Sequence, residues 1–399
     1  MVANKRFSKK RFSKKRFSKT HVSKKRSAIA TEIGQLLVIG FDGVEISSPL
    51  AALLTRVQPG GVILFGRNIV NAQQTHKLLK DCQACVKHWL FTSVDLEGGR
   101  VDRFRSVTGP APSAAEVFAA RDRKLFRKHG QLIGRACAAM GFNLDFAPVL
   151  DLAFEASRKV MSSRAFSTDP KTVILYAREF VAGLQSAGVI GAGKHFPGLG
   201  EGNLDSHHDL PVIHKSLKHL WEEDLVPYRT MKRELPVVLI SHANYPEVTR
   251  DKLPASLSKK WITDVLRRRI GYRGLVVSDD LEMGGVLQAA PIDQAAVEFV
   301  RAGGDLCLIC HEQKNVEQAF ETMVREAEQD SIFRRRVTES ARRIALFKGK
   351  SRELKRRTPA PSPEKIVRLS TQLWEFSEQV RFSTSAAAAA AGTNTGTDR

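Results

Sequence analysis

The sequence predicts an α/β chain closed into a (β/α)8 TIM barrel, and three observations predict it. Eight short, apolar, β-rich runs recur between residues 36 and 310. Amphipathic stretches of helical period separate them. Nearly every run ends in a polar or charged group. The first two runs, 36–41 and 61–65, are almost wholly aliphatic, as strands covered on both faces must be. The third, 90–95, ends in Asp95, and the fourth, 143–149, leads to Asp151. The fifth, 191–196, carries Lys194 and His195, and the sixth, 237–242, ends in His242. The seventh, 275–279, delivers Asp279, and the eighth, 305–310, precedes His311. Between them, 122–140, 171–187 and 258–270 repeat apolar residues at helical spacing. A doubly wound open sheet is the alternative, but it would spread those polar ends along an edge. A barrel gathers them on one face.

Composition bounds what surrounds the barrel. The chain has 399 residues, 42% hydrophobic and 26% charged, which excludes wholesale disorder and fibrous classes. Its net charge of +21 is concentrated in the tails. Residues 1–26 hold twelve Lys/Arg and no acid, and residues 348–399 add a net +5, leaving the stretch 27–347 at only about +4, so a globally basic nucleic-acid-binding fold is not supported. Residues 1–27 therefore read as a disordered basic arm repeating Lys-Arg-Phe-Ser-Lys. The arm could make weak contact with anionic polymers, but a solvated extension is the favoured reading. Residues 28–350 read as the barrel domain. Residues 351–399 read as a linker, a helix over 364–380 and a low-complexity tail ending in an alanine run. No apolar stretch approaches a membrane span, and the basic start leads to no apolar segment, so a cytoplasmic protein is expected. Five cysteines suit reduced thiols. Cys307-Leu308-Ile309-Cys310-His311 fits a haem-attachment pattern but reads better as a buried strand, and Cys82/Cys85 lacks a second ligand pair for zinc. No metal and no cofactor are expected.

Three segments carry chemistry. Residues 194–211 leave a strand with two adjacent cations, Lys194 and His195. They pass through a loop with Gly198, Gly200 and Gly202, and return Asp205-Ser206-His207. An Asp two residues before a His can hold one ring nitrogen and leave the other free for proton transfer. In 276–285, an apolar strand delivers Asp279 to its end, where a carboxylate nucleophile would sit. Asp280 reads as structural. In 95–104, Asp95 and Arg103 could clamp hydroxyls, while Glu97 and Arg100 read as an internal ion pair bracing a Gly98-Gly99 turn.

Together with 140–151 and Ser163-Arg164-Ala165-Phe166, these segments resemble family 3 glycoside hydrolases, in the bacterial β-N-acetylhexosaminidase branch of NagZ type. The resemblance spans roughly 30–350 and not the tails. It implies that Asp279 is the nucleophile and that His207, held by Asp205, is the general acid/base. It further implies that Asp95, Arg103, Arg164, Lys194 and His195 bind N-acetylglucosamine. One departure is visible: where the family often has Gly-His-Gly, this chain has Gly198-Leu199-Gly200. The implied activity is removal of terminal N-acetylglucosamine from muropeptide fragments during cell-wall recycling, by a monomer acting on a small saccharide. A phosphorylase on the same fold, a β-glucosidase, and an anionic-polymer-binding protein on an inactive barrel are the rivals. The intact Asp279, His207 and Asp205 argue against the last.

Overall fold

The computed structural model describes residues 28–202, 209–356 and 358–393. The arm over 1–27 and the Asp205/His207 pair lie outside the described residues. Eight parallel strands close into a barrel: β1 (Leu37–Ile39), β2 (Gly61–Ile63), β3 (Phe91–Val94), β6 (Leu144–Asp145), β7 (Ile190–Phe196), β8 (Val237–Ile240), β9 (Leu275–Asp280) and β10 (Leu306–Ile309). Closure comes from β1, which pairs with β2 at Val38↔Gly61 and with β10 at Leu37↔Cys307. The eight barrel strands correspond one for one to the eight apolar runs. β1, β2, β3, β8 and β10 are buried throughout, as a parallel sheet wrapped by helices requires.

A two-stranded hairpin, β4 (Leu96–Gly98) and β5 (Val101–Asp102), interrupts the regular alternation straight after β3. Its turn needs glycine. Gly98 and Gly99 sit at φ +83° and +60°, and a Cβ on Gly98 would lie 2.1 Å from the Pro112 carbonyl oxygen. Asp102 accepts from the N–H groups of Phe104 and Ala111, both at 2.9 Å, and so fixes the chain that follows.

The barrel helices start on side-chain caps. Asp122 accepts from Lys124 N ahead of Arg123–Met140, and Asp169 accepts from Lys171 N and Thr172 N ahead of Pro170–Ala187. Those two helices pack side by side and carry much of the outer layer. The expected helix over 258–270 is present as Lys260–Ile270, wound as a π-helix.

The C-terminal part differs from its expected form. The segment after Lys350, expected as a linker, is docked on the barrel. Arg356 donates to the Ala187 carbonyl (2.9 Å), and Gln73 donates to the Pro361 carbonyl (3.1 Å). The helix runs from Pro363 to Thr393, straight through the alanine run expected as a low-complexity tail. Alanine has the highest helix propensity, and Leu369, Leu373, Phe376 and Val380 bury one face of the helix against the barrel. Among the described residues no helix is long and apolar enough to cross a membrane.

The barrel floor holds a buried lysine. Lys348 donates to the Gly60 carbonyl (2.7 Å) and to Gln35 Oε1 (3.0 Å), with its ammonium 5.0 Å from the Phe91 ring centroid. Burial pulls its pKa down from 10.5 to about 7. Between those values the unfolded chain binds a proton that the native state does not, so Lys348 makes stability rise with pH across that window. Lys348→Met should abolish the slope. Its stability relative to wild type should fall as pH is raised from 7 to 10, by up to about 1.4 kcal/mol per unit. A denaturation series giving a pH-independent difference would contradict the buried, depressed lysine.

Candidate active site

The C-terminal ends of the strands bring four of the residues singled out in the sequence into one connected network. Lys194, near the end of β7 and almost fully buried, donates to Asp95 Oδ1 (2.7 Å) and lies 2.6 Å from Glu97 Oε1. Glu97 receives a two-pronged pair of bonds from Arg164, from Nε and from the guanidinium NH2, both at 2.8 Å. Arg164 in turn lies 3.2 Å from His195 Nε2. A guanidinium can only donate, so that ring nitrogen accepts. The ring proton then sits on Nδ1, which faces Asp151 Oδ2 at 2.6 Å. Asp95, Lys194, Arg164 and His195 are thereby fixed relative to one another, with Glu97 and Asp151 as the hubs.

Glu97 corrects the expected Glu97–Arg100 brace. Its partners are Lys194 and Arg164, while Arg100 donates to the Val160 carbonyl. The reason is the extended backbone. Residues two apart on a strand face the same way, so Asp95 and Glu97 both reach Lys194, and Arg100 lies beyond the turn on the exposed side. Burial disfavours a charge on Glu97, but Arg164 and Lys194 outweigh it and hold the carboxyl well below the usual carboxylate range. Beneath this pair, Asp145 accepts from Leu96 N (2.9 Å) with one oxygen. Its other oxygen is buried without a partner among the described residues. Burial drives its pKa well above the usual carboxylate value, against the opposing pull of the Leu96 N–H and Lys194.

Asp279 is half-buried at the end of β9. Burial raises its pKa, yet the nearby His195, His242 and Lys194 more than offset this and keep it below the ordinary value. It is therefore ionised at neutral pH, as a nucleophile must be. His242 is held from both sides. Its Nε2 donates to the Asp280 carbonyl (2.9 Å), and its Nδ1 faces Ser256 Oγ (2.7 Å). Burial lowers its pKa, so the ring is neutral. Asp280 is occupied structurally, as expected. Its side chain accepts from Glu282 N (3.0 Å) and lies 3.2 Å from His311 Nε2. Arg103 is not part of the network. Its guanidinium lies 5.7 Å from the Phe65 ring centroid, and its Nε is buried without a hydrogen-bond partner among the described residues.

The loop expected to carry the acid/base is pinned just before the residues outside the description. Gly198 sits at φ +134°, where a Cβ would come within 2.7 Å of Asp224 Cβ, and its carbonyl accepts from Tyr245 Oη (2.7 Å). Leu199 N donates to Asp151 Oδ1 (2.7 Å), while the Leu199 side chain is buried in the apolar core. At the position that departs from the family pattern, the chain is thus held by its backbone rather than by a side chain. On the far side, Lys215 ties Asp224 (2.7 Å) and Glu223 (2.6 Å) together, beneath Phe154.

Asp151, Glu97 and His242 are the parts of the site that sequence reasoning did not assign. The Asp95/Glu97 spacing held a usable signal, since alternate residues share a face. Asp151 and His242 were visible only as polar strand ends, because their partners lie far along the chain.

An anionic carboxylate at a barrel strand end, set against a rigid cluster of cations and carboxylates, is the layout of a barrel glycoside hydrolase. Residues 28–346 match the glycosyl hydrolase family 3 N-terminal domain, and the chain belongs to that family. It is 39% identical over 287 residues to a β-hexosaminidase of Alkalilimnicola ehrlichii, covering 70% of this chain and 82% of the relative. It is 33% identical over 317 residues to a β-hexosaminidase of Haemophilus influenzae, covering 75% and 89%. The fold superposes with a TM-score of 0.81 on a family 3 β-N-acetylglucosaminidase from a Paenibacillus species. That match has 31% identity and covers 87% of this chain and 68% of the other.

Proposed function

We propose that the protein is a retaining exo-β-N-acetylglucosaminidase with Asp279 as nucleophile, and the ionised, half-buried Asp279 at the end of β9 carries the proposal. The β-hexosaminidase relatives support the sugar class. Asp279 attacks the anomeric carbon and forms a glycosyl ester as the glycosidic bond breaks. His207, oriented by Asp205, gives its proton to the departing oxygen. It then takes a proton from the water that releases the sugar. Asp95, Arg103, Arg164, Lys194 and His195 hold the sugar hydroxyls. Glu97 and Asp151 serve as positioning residues, because locked partners keep Arg164, Lys194 and His195 aligned before substrate arrives. The natural substrate in this reading is a muropeptide fragment in cell-wall recycling, handled by a monomer in the cytoplasm, a setting that five unpaired cysteines suit. Catalysis belongs to residues 28–350, with the arm over 1–27 and the segment 351–399 as appendages.

Release of the aryl alcohol from an aryl N-acetyl-β-glucosaminide, beside the matching β-glucoside, tests the sugar class. A preference for the glucoside would defeat the reading. Free N-acetylglucosamine as product in phosphate buffer separates hydrolysis from phosphorolysis, which would yield the sugar 1-phosphate. His207→Ala should slow hydrolysis by about 10²–10⁴-fold, the scale of general acid/base catalysis. Asp205→Ala should cost about tenfold less, since it loosens the base without deleting it. An Asp205 variant slower than the His207 variant would break the pairing.

A further inference from the structure

The modest net charge of the barrel conceals a local concentration of cations at the end opposite the active site. The helix Lys260–Ile270, the turn into β9 and the helix Ser331–Lys350 line a solvent-open cleft of about 800 Å³ beside the N-terminal ends of β9 and β10. Behind its lining arginines Arg267, Arg336 and Arg343 lies the buried carboxylate of Asp305. That carboxylate accepts from Val276 N (2.9 Å), Ser340 Oγ (3.1 Å) and the guanidinium groups of Arg267 and Arg343, with Arg336 at 3.9 Å. Three guanidinium groups thus share one buried carboxylate. Glu339 on the wall pairs with Arg336 at 2.7 Å and balances one of them in part. Arg267 Nε is buried without a hydrogen-bond partner among the described residues. Burial, together with Arg343 and Arg336, disfavours the Arg267 charge despite Asp305.

Lys259, Arg273 and Arg335 add three cations to the same walls. None of the three has an ion-pair partner among the described residues, whereas the neighbouring Arg268 and Arg301 are matched locally by Asp264 and by Glu298, Glu326 and Asp330. Like charges gathered in a walled cleft repel one another and raise the local potential for anions. Guanidinium groups also suit phosphate oxygens, which they can grip in pairs.

We propose that this cleft is a binding site for a small polyanion of the oligophosphate class, separate from the active site. Its volume falls in the range of small-ligand sites, which favours a compact anion over a polymer backbone. Bound phosphate oxygens would pair with Lys259, Arg273 and Arg335 and relieve the repulsion around Asp305, so binding should stabilise the native fold.

Calorimetric titration of the full-length protein with inorganic tripolyphosphate tests this, run beside a Lys259→Ala/Arg273→Ala/Arg335→Ala triple variant. The variant spares the Asp305 cluster and the active site, and its hydrolytic activity serves as the check that it is folded. Wild type should show one saturable site and a Tm that rises with tripolyphosphate. The triple variant should bind at least tenfold more weakly and lose the Tm response, while an Arg273→Lys/Arg335→Lys variant should keep part of the affinity. Equal binding by wild type and triple variant would place the anion elsewhere, for instance on the arm over 1–26, and overturn the proposal. So would no saturable binding at millimolar tripolyphosphate, or variant-sensitive binding seen with duplex DNA but not with tripolyphosphate. None of these outcomes depends on which sugar the active site accepts.

Discussion

Asp279→Ala is expected to abolish turnover while leaving the fold intact. Only a half-buried carboxylate at a strand end is lost, and its neighbours Lys194 and His195 keep their own partners in Asp95, Glu97 and Asp151. Losing the nucleophile should lower kcat by at least about 10⁴-fold, or roughly 5.5 kcal/mol on the barrier. If Asp279 is the proposed nucleophile, the vacated space faces the anomeric carbon, so azide should restore part of the rate and yield a glycosyl azide of inverted configuration. Near-wild-type kcat in a folded variant, or no azide product, would remove Asp279 from the nucleophile's role. The acid limb of the wild-type rate profile should lie below the ordinary aspartate value, because the groups around Asp279 favour its ionised form.

Glu97→Ala should be among the most destabilising single substitutions in the barrel. It strips the shared carboxylate from Lys194 and Arg164, whose side chains are only 3% and 14% exposed, and leaves their charges with too little balance. Removing one partner of a buried ion pair costs about 3–5 kcal/mol, and urea unfolding would read that loss directly. Glu97→Gln, which keeps the shape and one acceptor oxygen, should cost less but still lower kcat/KM, because Arg164 and Lys194 would no longer be fixed. The stability that Glu97 contributes is present above its ordinary pKa of 4.5 and is lost only as pH falls through its depressed native value. A Glu97→Ala variant within about 1 kcal/mol of wild type would show that the network is not a buried electrostatic hub.

The two expectations differ in how far the sequence alone could reach them. The strand-end position of Asp279 was legible because an apolar run that ends in a carboxylate is a local pattern, and the barrel then places every such end on one face. Glu97 was read as a partner of Arg100 because nearness along the chain was the only guide there. The same holds for the C-terminal segment. Its prolines and charges signal a break in periodicity, but they carry no information about docking through Arg356 to the Ala187 carbonyl.

What the sequence determined by itself was the alternation of buried strands and amphipathic helices, the strand-end polar groups and the glycines of the hairpin and loop. Each of these follows from side-chain period or backbone freedom within a few residues. What only the tertiary structure decided was the pairing: Lys194 and Arg164 on Glu97, His195 and Leu199 on Asp151, and three arginines on Asp305. Those partners lie tens of residues apart. Charge choice among them is set by distance and burial in the closed barrel, where an unpaired ion is too costly to keep.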